Sequence, residues 1–208
     1  TNQLTRVRHY DTSNALVVDV EYKYDAFGLV IERDNGTDVQ RYAYDGWNPG
    51  KAGAPIGKEN FGVVADFDDG GSLTTRYEYS NRVDSLVGRV DVDGSAEVRW
   101  TLTDYQGSVR EVIDNDADVL DSLQYDAFGN ITSETDAAHR GRYAWTGREF
   151  DAETELQYNR ARWYDGKTGR WLTQDPLGFD AGDTNLYRYV HNRPTYAVDP
   201  SGLQEPRL

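Results

Sequence analysis

Apolar and polar positions alternate along much of this chain. In Val18-Asp19-Val20-Glu21-Tyr22-Lys23-Tyr24 every second residue is apolar or aromatic. Arg41-Tyr42-Ala43-Tyr44 and Arg76-Tyr77-Glu78-Tyr79 set a ring at every second position, with a small or charged residue between. A period of two is that of a β-strand with one face buried. Asp34-Asn35-Gly36 and Asp91-Val92-Asp93-Gly94 read as turns, because Asp and Asn accept backbone hydrogen bonds and Gly takes positive φ. No long amphipathic helical stretch interrupts the pattern.

A longer period overlies the short one. Tyr24-Asp25-Ala26-Phe27-Gly28 recurs unchanged as Tyr125-Asp126-Ala127-Phe128-Gly129. Tyr44-Asp45-Gly46-Trp47 is a shorter form, and Asp104-Tyr105-Gln106-Gly107 an inverted one. Tyr143-Ala144-Trp145-Thr146-Gly147 and Trp163-Tyr164-Asp165-Gly166 are related. The tyrosines stand 20 residues apart from Tyr24 to Tyr44, 20 from Tyr105 to Tyr125, 18 to Tyr143 and 21 to Tyr164. That period suits one β-hairpin and its turns per repeat. A lone hairpin cannot bury its own face, so successive antiparallel hairpins are expected to pair into one long sheet. In this reading the Tyr ring packs inward and the Asp caps the turn. The Gly- and Pro-rich stretch at about 46–71 breaks the pattern and reads as an irregular insertion with one short strand at Phe61 to Ala65.

Composition sharpens the class. Apolar residues make up only 38% of the 208 positions, yet 15 Tyr and 5 Trp argue for a folded, all-β chain rather than a disordered one. A net charge of −14 repels phosphate backbones, which speaks against nucleic-acid binding and anionic membranes. There is no cysteine, hence no disulfide and no thiolate metal ligand or nucleophile. No apolar run approaches the ~18 residues that span a bilayer. The chain opens Thr1-Asn2-Gln3 with neither Met nor a signal peptide, and is expected to be a piece of a longer protein.

The second half carries a specific resemblance. Thr103-Asp104-Tyr105-Gln106-Gly107-Ser108-Val109-Arg110, Thr146-Gly147-Arg148-Glu149-Phe150-Asp151 and Asn159-Arg160-Ala161-Arg162-Trp163-Tyr164-Asp165 follow one another in order. Gly169-Arg170-Trp171-Leu172, Asp175-Pro176-Leu177-Gly178, Asn185 to Val190 and Asp199-Pro200-Ser201-Gly202-Leu203 complete the series. Together these resemble the RHS repeat-associated core domain of RHS/YD-repeat proteins, similar to the shells of Rhs toxins and toxin-complex C proteins. Residues 100–203 match that core, 1–99 look like degenerate YD repeats, and 204–208 form a short tail. The resemblance implies a spiralling sheet, part of a hollow cocoon-like shell, with an inward-curling C-terminal plug. It also implies aspartyl autoproteolysis after Asp-Pro-x-Gly-Leu, here Asp199, Pro200, Gly202 and Leu203, which leaves a C-terminal cargo or toxin in the shell. By the same resemblance Asp175 is a catalytic carboxylate and Arg162 its orienting arginine. The family's second acid follows that arginine directly; Trp163 stands there, and Asp165 is the nearest substitute.

The chemistry such a site needs is general. Two carboxylates must lie close enough to share a proton, one acting as base and the other as acid. Asp-Pro-x-Gly is equally a turn motif, so both copies have a purely structural reading. Asp66-Phe67-Asp68-Asp69 and Asp114-Asn115-Asp116-Ala117-Asp118 are hard-oxygen clusters that read as solvated turns before Ca²⁺ loops. His9, His139 and His191 have no metal spacing, and Ser108 and Ser201 lack a nucleophile-elbow context. No cofactor is implied. The expected partners are the remainder of the shell, a C-terminal cargo, and a second copy through exposed sheet edges; the expected location is secreted or cell-surface. The competing function is a non-catalytic cell-surface adhesin that binds carbohydrate through exposed rings such as Trp47 and Trp145.

Overall fold

The computed structural model describes residues 3–45, 61–92 and 96–203. Eleven strands form one sheet in chain order, each antiparallel to the next. They are β1 (Arg6–Tyr10), β2 (Leu16–Tyr24), β3 (Val30–Asp34), β4 (Val39–Tyr44), β5 (Val63–Phe67) and β6 (Leu73–Tyr79). The series continues with β7 (Leu86–Asp91), β8 (Glu97–Thr103), β9 (Val109–Ile113), β10 (Val119–Tyr125) and β11 (Ile131–Glu134). After one helical turn, α1 (Ala137–Arg140), a second antiparallel sheet follows. It contains β12 (Glu149–Asp151), β13 (Leu156–Asn159), β14 (Arg162–Asp165) and β15 (Arg170–Trp171). The expected all-β fold of successive hairpins is the observed one. The division at 99/100 falls inside β8, so the large sheet runs through it without a break. The strand expected near Phe61 is β5, while residues 46–60, with Trp47, and the turn at Asp93-Gly94 lie outside the described residues.

The Tyr-Asp pair has a double structural job. Each tyrosine ends the second strand of a hairpin, and its hydroxyl donates to a carbonyl at the start of the first. The bonds run Tyr24 to Leu4 (2.6 Å), Tyr44 to Val30 (2.8 Å), Tyr79 to Val63 (2.9 Å) and Tyr125 to Val109 (2.9 Å). Each ring thereby closes the open end of its own hairpin. At the end of β8 the corresponding residue is Thr103, which cannot reach across. The aspartate then organises the turn to the next hairpin by accepting two amides on one oxygen. Asp25 takes those of Phe27 and Leu29, Asp104 those of Gln106 and Ser108, and Asp126 those of Phe128 and Asn130. Asp114 does the same with Asp116 and Asp118, and Asp68 takes the Ser72 amide. The two acidic clusters are therefore turns of the same type. Among the described residues, no group of three or more His, Cys, Asp or Glu is placed to hold a metal.

The small sheet lies between two cores. One face packs against the large sheet: Tyr143, Leu156, Tyr158 and Trp163 join Val20, Tyr22, Val30, Tyr42, Val63, Tyr77, Val112 and Leu123. The other faces the C-terminal segment through Trp145, Tyr164, Trp171, Tyr189, Val190 and Ala197. Polar links cross the first interface. Tyr22 Oη donates to Asp151 Oδ2 (2.6 Å), Arg33 pairs with the same carboxylate (2.7 Å), and Arg142 pairs with Asp66 (3.0 Å). Burial alone would raise the Asp151 carboxyl, but the Arg33 hydrogen bond and charge outweigh it and hold it below its ordinary value. Gly129 shows how tightly the repeat turn meets this unit: at φ 85°, a Cβ there would lie 2.3 Å from the Trp145 ring.

Candidate active site

Arg162 opens β14 directly after the tight connection from β13, where the Ala161 amide donates back to Asn159 O (2.7 Å). Strand parity sends Arg162 and Tyr164 to the C-terminal side of the small sheet and Trp163 to the large-sheet side. The Arg162 guanidinium lies over the Trp171 ring, 4.3 Å from its centroid, and its side chain is 3% exposed. Nη2 pairs with Asp175 Oδ2 at 2.7 Å and stands 3.6 Å from Asp199 Oδ2, an ion-pair rather than a hydrogen-bond separation. Nε donates to Gly202 O (2.5 Å) and Nη1 to Leu186 O (3.2 Å). Burial pushes this guanidinium below its ordinary value, opposed by the two carboxylates.

The two Asp-Pro-x-Gly turns converge on this one arginine. In the first, Asp175 Oδ1 accepts the Leu177 amide (2.9 Å), and the Gly178 amide donates to Asp175 O (2.9 Å). In the second, Asp199 Oδ1 accepts the Gly202 amide (2.9 Å) and the Ser201 hydroxyl (3.2 Å). Each aspartate thus spends one oxygen on its own turn and turns the other toward Arg162. Both aspartates are therefore turn residues and neighbours of Arg162 at once. Both side chains are nearly enclosed, 8% exposed for Asp175 and 2% for Asp199. Arg162, Asp175 and Asp199 line a cavity of about 20 Å³ with Leu186 and His191, room for one water molecule.

Asp165 is not part of this cluster. Three residues along a strand from Arg162, it belongs to the opposite face. Its carboxylate accepts the Lys167 amide (2.9 Å) and the Thr168 hydroxyl (2.8 Å), as a turn cap does. Of the residues singled out from sequence, Arg162 and Asp175 meet, and they meet with Asp199, Gly202 and the segment leading to Leu203. The second carboxylate at Arg162 comes from the cleavage motif itself; the resemblance gave that residue no such position. Asp183 also borders the cavity, held down to about 2 by its hydrogen bond to Arg188. Trp145, a named candidate for exposed carbohydrate contact, is buried beneath Tyr164 and Tyr189. Its burial removes it from that role.

Comparison with known proteins agrees with the fold. The crystal structure of TcdB2-TccC3 superposes with a TM-score of 0.66 over 98% of this chain and 11% of that one, at 19% identity. The tRNA3(Ser)-specific nuclease WapA of Bacillus spizizenii is 30% identical over 186 residues, 87% of this chain and 7% of the relative. Toxin protein Tse5 of Pseudomonas aeruginosa is 48% identical over 60 residues, 29% of this chain and 4% of its own length. The chain thus spans less than a tenth of these two relatives. No described helix is long and apolar enough to cross a membrane. The model of the Teneurin YD-shell matches residues 2–195. With its hairpins stapled by Tyr hydroxyls and joined by Asp-capped turns, the chain belongs to the Teneurin YD-shell family.

Proposed function

We propose that this stretch closes one end of a secreted or cell-surface YD-shell and cuts its own chain after Leu203, separating the shell from a C-terminal cargo. The observation that carries this reading is the convergence of Asp175 and Asp199 on Arg162, with the carbonyl of Gly202 on the same guanidinium. Two aspartates gathered at one arginine supply the pair of carboxyl groups that acid–base hydrolysis needs, one in the ionised form as base and the other in the protonated form as acid. The ionised carboxylate takes a proton from water as the water oxygen bonds to the Leu203 carbonyl carbon. The protonated one then gives its proton to the Gln204 nitrogen as the carbon–nitrogen bond breaks. One water is consumed, leaving a Leu203 carboxylate and a free Gln204 amine. Asp165 has no step in this scheme. Strands β1 and β11, the outer strands of the sheet, are where neighbouring repeats of a longer chain, or a second copy, would add on.

A reporter domain fused after Leu203 tests the proposal. The fusion is expected to yield two fragments whose intact masses locate the cut after Leu203. Asp175→Asn should leave it whole while thermal unfolding shows the fold retained, and Asp165→Asn should cut as the parent does. A parent fusion that stays intact would sink the protease reading.

A further inference from the structure

Four consecutive residues of the β13–β14 connection bind four consecutive carbonyls of the closing motif. Asn159 Nδ2 donates to Asp199 O (2.7 Å), Arg160 Nη1 to Pro200 O (2.6 Å), the Ala161 amide to Ser201 O (3.1 Å) and Arg162 Nε to Gly202 O (2.5 Å). Only Arg162 of these four belongs to the carboxylate cluster.

The ladder is buried and braced. Asn159 is fully enclosed, its Oδ1 taken by Gln157 Nε2 (2.9 Å) so that its amide nitrogen is turned to Asp199 O. Arg160 holds the left-handed conformation (φ 61°) and is clasped by Asp84 through Nη1 (3.0 Å) and Nη2 (2.5 Å). Asp84 sits on the β6–β7 connection of the large sheet and also pairs with buried Arg148 (2.7 Å). Burial alone would raise this carboxyl; the two guanidiniums outweigh it and leave it below its ordinary value. On the motif side, Gly202 has φ 69°, and a Cβ there would lie 2.6 Å from Asn159 O. Backbone meets backbone too closely for any other residue.

We infer that Asn159 and Arg160, the latter held by Asp84, are positioning residues that fix the register of residues 199–202 and so decide which peptide bond is presented for cleavage. This rests on the autoproteolytic reading above. On the motif, Asn159 and Arg160 touch only main-chain oxygens, so these two are indifferent to its side chains and count residues instead. A slip of one position would set a residue with a Cβ in the slot that admits only Gly202, and would withdraw Asp199 from Arg162. The bond after Leu203 is then selected by its distance along the chain from the ladder, not by the leucine side chain.

Inserting one serine between Gly202 and Leu203 in the reporter fusion separates the two rules while leaving every ladder contact in place. A register set by the ladder cuts after the inserted serine; a cut that stays after the leucine overturns the inference with the protease reading intact. Arg160→Lys keeps a charge for Asp84 but cannot also span Pro200 O, and Asn159→Leu removes one donor at similar size. In variants whose thermal midpoint matches the parent, cleavage should slow roughly tenfold or more, with an unchanged pH profile and added products one residue longer or shorter. Wild-type rate and a single product in both variants would overturn the positioning role. An intact parent fusion would instead overturn the protease reading, and with it any role of the ladder in cleavage.

Discussion

The large sheet and the C-terminal unit use the same residue type in opposite ways. In the sheet, Asp25, Asp104, Asp114 and Asp126 are half-exposed or exposed and accept amides two and four residues further along. Each such turn is complete within five residues and repeats wherever its spacing repeats. At the C-terminal unit the aspartates are enclosed and pair with arginines: Asp175 and Asp199 with Arg162, and Asp84, reaching over from the β6–β7 connection of the large sheet, with Arg160 across 76 residues. An exposed carboxylate needs only local amides, because water serves its remaining lone pairs. A buried one must be matched by a charge. The first kind shapes the turns of the large sheet; of the second, Asp84 ties the C-terminal unit to that sheet through Arg148 and Arg160.

The strongest way to break that contrast is Asp84→Ala. It leaves Arg160 buried without its ion-pair partner beside Arg148, which keeps only Glu149 at 3.4 Å, and urea unfolding should show a loss of about 3–5 kcal/mol. Acid reaches the same pairs without mutation. Asp84 and Asp151 both lie below their ordinary value in the folded protein. Their contribution is therefore complete above the unfolded carboxylate range and lost as pH falls through the folded values. The thermal midpoint should drop steeply below about pH 4. In Asp84→Asn that drop should be shallower from a lower start; an unchanged acid limb would remove Asp84 from the account. Gly202→Ala should cost about 1–3 kcal/mol from the left-handed backbone alone. Hydrogen exchange should quicken at 199–203 and leave the repeat turns as they were. Asp126→Ala should cost only about 1 kcal/mol, with faster exchange confined to 126–130. If its effect spread into the small sheet, the claim that these turns are locally complete would fail.

Much of the fold was legible in the chain. Period-two alternation at Val18–Tyr24, the Tyr-Asp spacing near twenty and the Asx–Gly turns pointed to hairpins laid side by side, and Asp66 to Asp69 and Asp114 to Asp118 to turns. These signals act over four or five residues, within reach of strand geometry and Asx hydrogen bonding. Parity could also have set Asp165 aside, since a residue three positions from Arg162 on a strand faces away. Adjacency in sequence hid that. What the sequence could not carry was the meeting of Asp175 with Asp199, the burial of Trp145, and the ladder from Asn159–Arg162 to Asp199–Gly202. Each joins segments tens of residues apart, with no periodicity relating them. Only the packing of β14 between two aromatic cores brings two Asp-Pro-x-Gly turns to one guanidinium. The local code set the strands and turns; desolvation and charge pairing in the interior decided which aspartates stand together.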